Sequence, residues 1–195
     1  MRKMLKKQFF LKRTDSAAEL QSQSRFHNMS DEAILQAIRP EVLGGGYRLL
    51  DRQDHEGYLP GANVVNLFAT GVFVAEAVKA SQRLLEEGVF ANVIAVTSPP
   101  LLIDDRDNCR LDSLIYDEER QSAVPVLTVT DSHPCYLSGV AQGLKGRAGQ
   151  PAELNLGVTR FDRSGTDEEI KTFHRIDCHS IAYAAKRLLF DAHPD

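Results

Sequence analysis

The sequence predicts an α/β protein built on a mostly parallel sheet. Short apolar runs of the buried-strand type recur at residues 64–69, 93–97 and 124–130. A pattern of helical period lies between the first two, and strand-helix-strand order implies a right-handed parallel crossover. The 195 residues, 43% of them hydrophobic, suit one domain with enough apolar material for its own core.

Taken in order, residues 1–13 carry Arg2, Lys3, Lys6, Lys7, Lys12 and Arg13 with no acid. They read as a solvated basic tail. The segment lacks the apolar core and small-residue cleavage site of a secretory signal. Residues 14–30 are rich in Ser, Gln and Asp without periodicity, and read as linker. Ser30-Asp31-Glu32-Ala33 is a helix start, Ile34, Leu35 and Ile38 form its apolar face, and Pro40 is its expected stop. Gly44-Gly45-Gly46 lacks the Lys-Ser/Thr that completes a P-loop, so it is expected to turn the chain into a strand at 47–50. The expected division is therefore 1–45 for tail, linker and short helix, and 46–191 for the folded domain.

Pro60-Gly61 marks a turn before the strand at 64–69. Thr70-Gly71 breaks that strand. Val74, Ala77, Val78, Leu84 and Leu85 then recur at helical spacing, and Gly88 is placed to end the helix. The strand at 93–97 ends at Ser98-Pro99-Pro100. Residues 101–122 are polar and expected to be irregular, with a helical turn near 109–114. After the strand at 124–130, residues 138–144 read as a glycine-interrupted helix and 153–158 as a strand. Ser164 or Thr166 can cap the next helix, which carries Asp167, Glu168 and Glu169 at the positive end of its dipole and buries Ile170 and Phe173. Ile176-Asp177 breaks the chain before a final amphipathic helix at 180–190.

The net charge of −4 gives no reason to expect nucleic acid or membrane partners. No apolar run approaches spanning length. Cys109, Cys135 and Cys178 make an odd number without a CxxC pair, as in a reduced cytosolic protein, and the expected location is cytoplasmic. Asp104, Asp105 and Asp107 lack the glycine and terminal glutamate of a calcium loop. His174 and His179 have no metal-pair spacing. No metal or cofactor ligand is therefore assigned to this chain.

Asp131-Ser132-His133-Pro134-Cys135 is the cluster nearest to a mechanism, with Cys135 as nucleophile and His133 as base. Members of a triad normally come from distant parts of a chain, so independent catalysis is not expected here. The location is more informative, because open α/β sheets meet ligands and partners at the carboxyl ends of their strands. Asp131, Ser132 and His133, together with Phe161, Arg163 and Ser164 after the last strand, are the expected interface or site-rim residues.

The order of elements resembles a known family. Residues 61–190 look like the third, C-terminal domain of the thiamine-diphosphate-dependent transketolase superfamily. The matching pieces are residues 65–71 leading into a helix with Glu76-Ala77, then 93–98, Asp107-Asn108-Cys109-Arg110 with Leu114, and 124–129. Leu156-Gly157, Phe161, Arg163-Ser164, His174, Ile176-Asp177 and the Ile181 helix complete them, and Gly46-Tyr47-Arg48-Leu49 resembles the lead-in. The 107–110 piece is most similar to the homodimeric pyruvate dehydrogenase decarboxylating component. Asp162 departs from the glycine usual there, and residues 1–40 do not resemble the preceding family domain.

The resemblance implies a three-layer α/β/α sandwich around a five-stranded, mostly parallel sheet with one antiparallel edge strand. It implies thiamine diphosphate and magnesium for the complete enzyme. The family's Gly-Asp-Gly motif with its downstream Asn-Asn is absent, so no catalytic residue carries over to this chain. The expected role is packing and assembly: a detached domain or split subunit, as a homodimer or with a thiamine-diphosphate-binding partner chain. The alternatives are a standalone interaction or small-ligand module, and a non-functional gene remnant.

Overall fold

The computed structural model describes residues 26, 28–103, 111, 114–144, 149–160 and 164–192. The basic segment 1–13, the acids at 104, 105 and 107, Cys109 and the residues at 161–163 lie outside them, as does most of the helical turn expected at 109–114.

Helix α1 (Asp31–Leu43) starts where Ser30 accepts a hydrogen bond from the Ala33 N–H. It runs three residues beyond the expected stop at Pro40. A proline in the last turn leaves few later bonds to lose, and its carbonyl still accepts from the Gly44 N–H. Gly45, at φ +105°, turns the chain into β1 (Gly46–Leu50). A side chain there would meet the Leu102 nitrogen at 2.6 Å, so glycine is required on both counts.

The remaining strands are β2 (Val64–Thr70), β3 (Phe90–Val96), β4 (Val126–Val129) and β5 (Glu153–Leu156). Their order in the sheet is β1-β3-β2-β4-β5, with β1 antiparallel to β3 and every other pair parallel. The five-stranded, mostly parallel sheet with an antiparallel edge is as expected. β2 and β3 are buried along their whole length, which is why they read as continuous apolar runs.

Helix α2 (Phe73–Glu86) joins β2 to β3, and Gly88 ends it at φ +76°. It packs with the last helix, α7 (Cys178–Ala192), against one face of the sheet. The other face is covered by α3 (Pro99–Ile103), by Leu111 and Leu114 of the crossover, and by α5 (Val140–Gly143). The crossover also contains α4 (Asp117–Gln121), so the segment expected to be irregular includes two short helices. Connections running in opposite directions along the sheet lie on opposite faces, as right-handed crossovers require. The result is the three-layer sandwich.

Helix α6 (Asp167–His174) carries a complete capping box: Thr166 accepts from the Glu169 N–H, and the Glu169 carboxylate accepts from the Thr166 N–H. Ile170 and Phe173 are half-buried rather than buried, because α6 lies at the periphery. Glu76 holds that periphery. Its carboxylate takes Lys79 at 3.1 Å, Lys171 at 3.3 Å and the Cys178 N–H at 3.1 Å, tying α2 to α6 and to the start of α7.

The linker expected over 14–30 ends earlier than its composition implies. Phe26 is 4% exposed and packs with Ile38, Tyr47 and Ala95. One aromatic ring needs no periodicity to find a core. Phe26→Ala is expected to cost about 3 kcal/mol, and removal of residues 1–30 to cost at least as much, since Ser30 goes with it. Denaturant unfolding checks both; a deletion with unchanged midpoint would show that Phe26 contributes nothing.

Candidate functional site

The two ends of the sheet differ in chemistry. At the end where the parallel strands begin, Arg48 of β1 points into a buried polar cluster. Its guanidinium donates to Glu119 of α4 at 3.2 and 3.0 Å and to the Leu114 carbonyl at 2.9 Å. The Glu119 carboxylate also accepts from Tyr58 at 2.6 Å, Asn66 at 3.0 Å and Asn92 at 3.2 Å. Asn92 donates to Asn66 at 3.0 Å, and its own oxygen accepts the Arg52 N–H at 2.9 Å. Tyr116 donates to Asp51, and Arg48 lies over the Tyr116 ring at 4.4 Å.

This cluster is a structural lock, because the groups that meet are consumed by one another. Burial pulls the Arg48 pKa down, but the Glu119 charge and hydrogen bonds, with smaller help from Asp51 and Tyr116, leave it raised. Burial, followed by the Glu119 charge and hydrogen bond, pushes the Tyr58 phenol far up. Burial and the bond to Asp51 do the same for Tyr116, with Arg48 opposing. Arg48, Asn66 and Asn92 are legible signals, since a polar residue inside a buried strand demands a partner. Glu119 carries no such signal, because it sits in a polar segment.

At the opposite end lie the residues expected to form an interface. β2 is followed by β3 on one side and has β4 on the other, so the chain's direction switches between the ends of β2 and β4. In open α/β sheets such a switch is where ligands and partners meet the strand ends. Thr70 donates to Thr130 across it at 3.1 Å, and Gly71, at φ +53°, brings the start of α2 near Asp131. Asp131, Ser132 and His133 are all exposed, as is Ser164. Phe161 and Arg163 lie outside the described residues. The segments after β4 and β5 do meet: Val158 donates to the Ser132 carbonyl at 2.9 Å, and a Cβ on Gly157 would stand 2.5 Å from that oxygen.

The geometry does not make a triad here. His133 Nδ1 already accepts the Cys135 N–H at 3.3 Å, and Asp131 lies 3.5 Å from the Thr130 hydroxyl as its acceptor. Cys178, the other described cysteine, has its thiol pushed up by burial and by Glu76, which disfavours the nucleophilic thiolate. Among the described residues, no group of three or more His, Cys, Asp and Glu is placed to hold a metal. No helix among them is long and apolar enough to cross a membrane.

The exposed apolar side chains are not evenly spread. Val72 follows β2, Leu101 follows β3 and Tyr136 follows β4, while Leu43 precedes Gly45, whose carbonyl accepts from Thr97 and Ser98. Four of the seven large hydrophobic side chains exposed among the described residues thus lie around the ends of the parallel strands. The sequence pointed to the Asp131–His133 part of this edge but not to Leu43, Val72 and Leu101; the first two carried no assignment and Leu101 fell in the segment expected to be irregular.

Fold and edge together define an α/β/α domain with exposed apolar and polar groups at the strand ends. The chain belongs to the family of transketolase-like TK C-terminal domains, whose model matches residues 45–177. Among solved structures it is similar to the transketolase of Pichia stipitis, at 22% identity and a TM-score of 0.56 over 77% of this chain and 18% of that one. The transketolase from Leishmania mexicana is 19% identical, with a TM-score of 0.56 over 80% of this chain and 19% of that one. A split-gene transketolase, an inactive beta4 tetramer, is 21% identical with a TM-score of 0.53, over 70% of this chain and 45% of that one. At such identities the likeness is one of fold. These 195 residues span under a fifth of the length of the two full transketolases. No curated protein sequence matches the chain.

Two outcomes test the lock. Glu119→Ala leaves the Arg48 charge buried without its partner and is expected to cost about 3–5 kcal/mol; equilibrium unfolding reads this. The second concerns pH. The folded pKa values of Tyr58 and Tyr116 lie above the unfolded value, so the stability they carry is complete below about pH 10 and is lost as pH rises beyond it. Of the five tyrosines, these two should stay un-ionised in the folded protein at about pH 11 and release their protons with cooperative unfolding. Phenolate absorbance followed beside circular dichroism checks it; full ionisation before unfolding would refute it.

Proposed function

We propose that this domain is a detached or split subunit of a thiamine-diphosphate-dependent enzyme, of the 2-oxo-acid (pyruvate) dehydrogenase kind. It serves packing and assembly, while a partner chain builds the cofactor site. The observation that carries this reading is the family match over residues 45–177 in a chain that covers 18% of a full transketolase. The dehydrogenase assignment is supported by Asp107, Asn108, Cys109 and Arg110, which resemble that branch of the superfamily. Partner chains are supported by the split-gene transketolase, itself a tetramer.

Among the described residues the chemistry gives no support to a thiamine diphosphate and magnesium site. At the ends of β2 and β4 Asp131 stands beside Gly71, and a carboxylate there repels a diphosphate. The described residues supply no cluster for the metal. No chemical step through the cofactor is therefore assigned to this chain. Its work is to present the strand-end edge, with Asp131, Ser132, His133 and Ser164 as polar contacts and Val72 and Tyr136 as apolar ones.

Titration calorimetry of the purified chain with thiamine diphosphate and magnesium chloride is expected to show no binding in the micromolar range. Purification from native lysate is expected to recover a chain bearing the Gly-Asp-Gly and Asn-Asn motif, in a complex that does bind the cofactor. His133→Ala and Tyr136→Ala should weaken that complex at least about tenfold if they are its anchors. Binding of the cofactor by the isolated chain, or recovery of the chain with no motif-bearing partner, would overturn the reading. A complex indifferent to both substitutions would move the contact to another face.

A further inference from the structure

A second surface lies on the outer face of α7. Its inner face is buried through Ile181, Ala182, Ala184, Ala185, Leu188 and Leu189. On the outer face Tyr183 and Phe190 are 67% and 70% exposed, the most exposed large hydrophobic side chains among the described residues. They stand two helical turns apart and therefore on one stripe. Arg187 lies between them, and Asp191 follows one turn later at 3.6 Å from it. The neighbouring cation, Lys186, is already paired with Glu87 of α2 at 2.6 Å.

The geometry points to this stripe pairing with the same stripe of a second copy, antiparallel about a two-fold axis close to Phe190. The reason is self-complementarity. In a two-fold contact, if residue i meets residue j of the mate, then j meets i. Reversing the helix direction sets Arg187 of each copy beside Asp191 of the other, so opposite charges meet twice. The axis then falls between 187 and 191, where the two Phe190 rings close on each other, and Tyr183 covers the flank. A second copy presents the matching charge order by symmetry, since reversal makes the Arg187–Asp191 order its own complement. Aromatic rings also supply large contact area at low entropic cost, and dominate contacts of this kind. The contact is smaller than a standard interface of about 800 Å² per partner, so the pair is weak and depends on concentration. This inference goes beyond the reading of the strand-end edge and does not depend on it.

Sedimentation of the full chain across a concentration series is the test. A reversible monomer–dimer equilibrium is expected, weakened at least about tenfold by Phe190→Ala and also weakened by Arg187→Glu or Asp191→Lys alone. The decisive arm is an equimolar mixture of the Arg187→Glu and Asp191→Lys chains. Both lack the intrahelical pair, yet a mixed dimer has opposite charges at both contacts, so association returns. Unchanged thermal unfolding confirms that these exposed substitutions leave the fold intact. A wild-type chain monomeric throughout, a dimer indifferent to Phe190, or a mixture that fails to associate would each overturn the inference. A dimer lost with His133→Ala or Tyr136→Ala, and not with the α7 variants, would place self-association at the strand ends instead.

Discussion

The ion pair between Arg48 and Glu119 decides which parts of the chain must be in place together. Taking two charges out of water costs several kcal/mol for each, and their mutual attraction repays this only when the remaining donors and acceptors are satisfied. Here they are satisfied by groups from different elements: Asn66 from β2, Asn92 from β3, Tyr58 from the connection before β2, and the Leu114 carbonyl from the crossover. The antiparallel edge strand is thereby tied to both central strands and to α4. Register follows from the same pair. A slip of β1 by one residue would turn Arg48 to the opposite face of the sheet, where Val65, Leu67 and Val93 form an apolar layer. A charge cannot enter that layer unpaired, so the lock selects one alignment rather than merely adding stability.

The two ends of the sheet divide the labour. The end bearing the lock has its polar groups paired among themselves, so little chemistry there is left to offer a partner. The strand-end edge is the reverse. Its backbone is fixed by short internal bonds, such as Ser132 to Thr130 and Val158 to Ser132, while the side chains of Asp131, Ser132 and His133 reach solvent. A rigid backbone with exposed side chains is what a recognition surface needs, because less freedom is lost when a partner orders it. Glu76 extends the rigidity to the helices behind that edge, since one buried carboxylate holds α2, α6 and α7.

Much of this was legible in the sequence, for reasons that differ by element. The parallel strands and α2 announce themselves because burial on both faces forces continuous apolar runs, and amphipathic packing forces a helical period. The capping box at Thr166 and Glu169 was half-visible, with Ser164 left as an equal candidate until the backbone placed Thr166 at the cap. The extent of α1 beyond Pro40, the two short helices of the crossover and the burial of Phe26 were not legible. Each is set by contacts distant in sequence: Phe26 is drawn in by Tyr47 and Ala95, and α4 is held by Arg48 through Glu119. At the candidate edge, Asp131, Ser132 and His133 followed from the rule that open α/β sheets meet ligands and partners at the carboxyl ends of their strands. Val72 and Leu101 did not, because an apolar residue beside a strand gives no sign of facing water.

The distribution of exposed apolar groups bears on what association would require. The core closes without any partner, since both layers of helices bury their faces on the sheet within this chain. A partner therefore does not complete the fold. Any partner would meet a finished surface on which Leu43, Val72, Leu101 and Tyr136 are exposed. Contacts between domains of this size are commonly modest and mixed in polarity, and a few well-placed anchors carry most of their free energy. An assembly built in this way gains or loses affinity through single side chains, with the sheet beneath unchanged. The separation of the lock from the edge makes that possible: substitutions at Val72 or Tyr136 touch neither Arg48 nor Glu119. Assembly and stability can then vary independently in this domain.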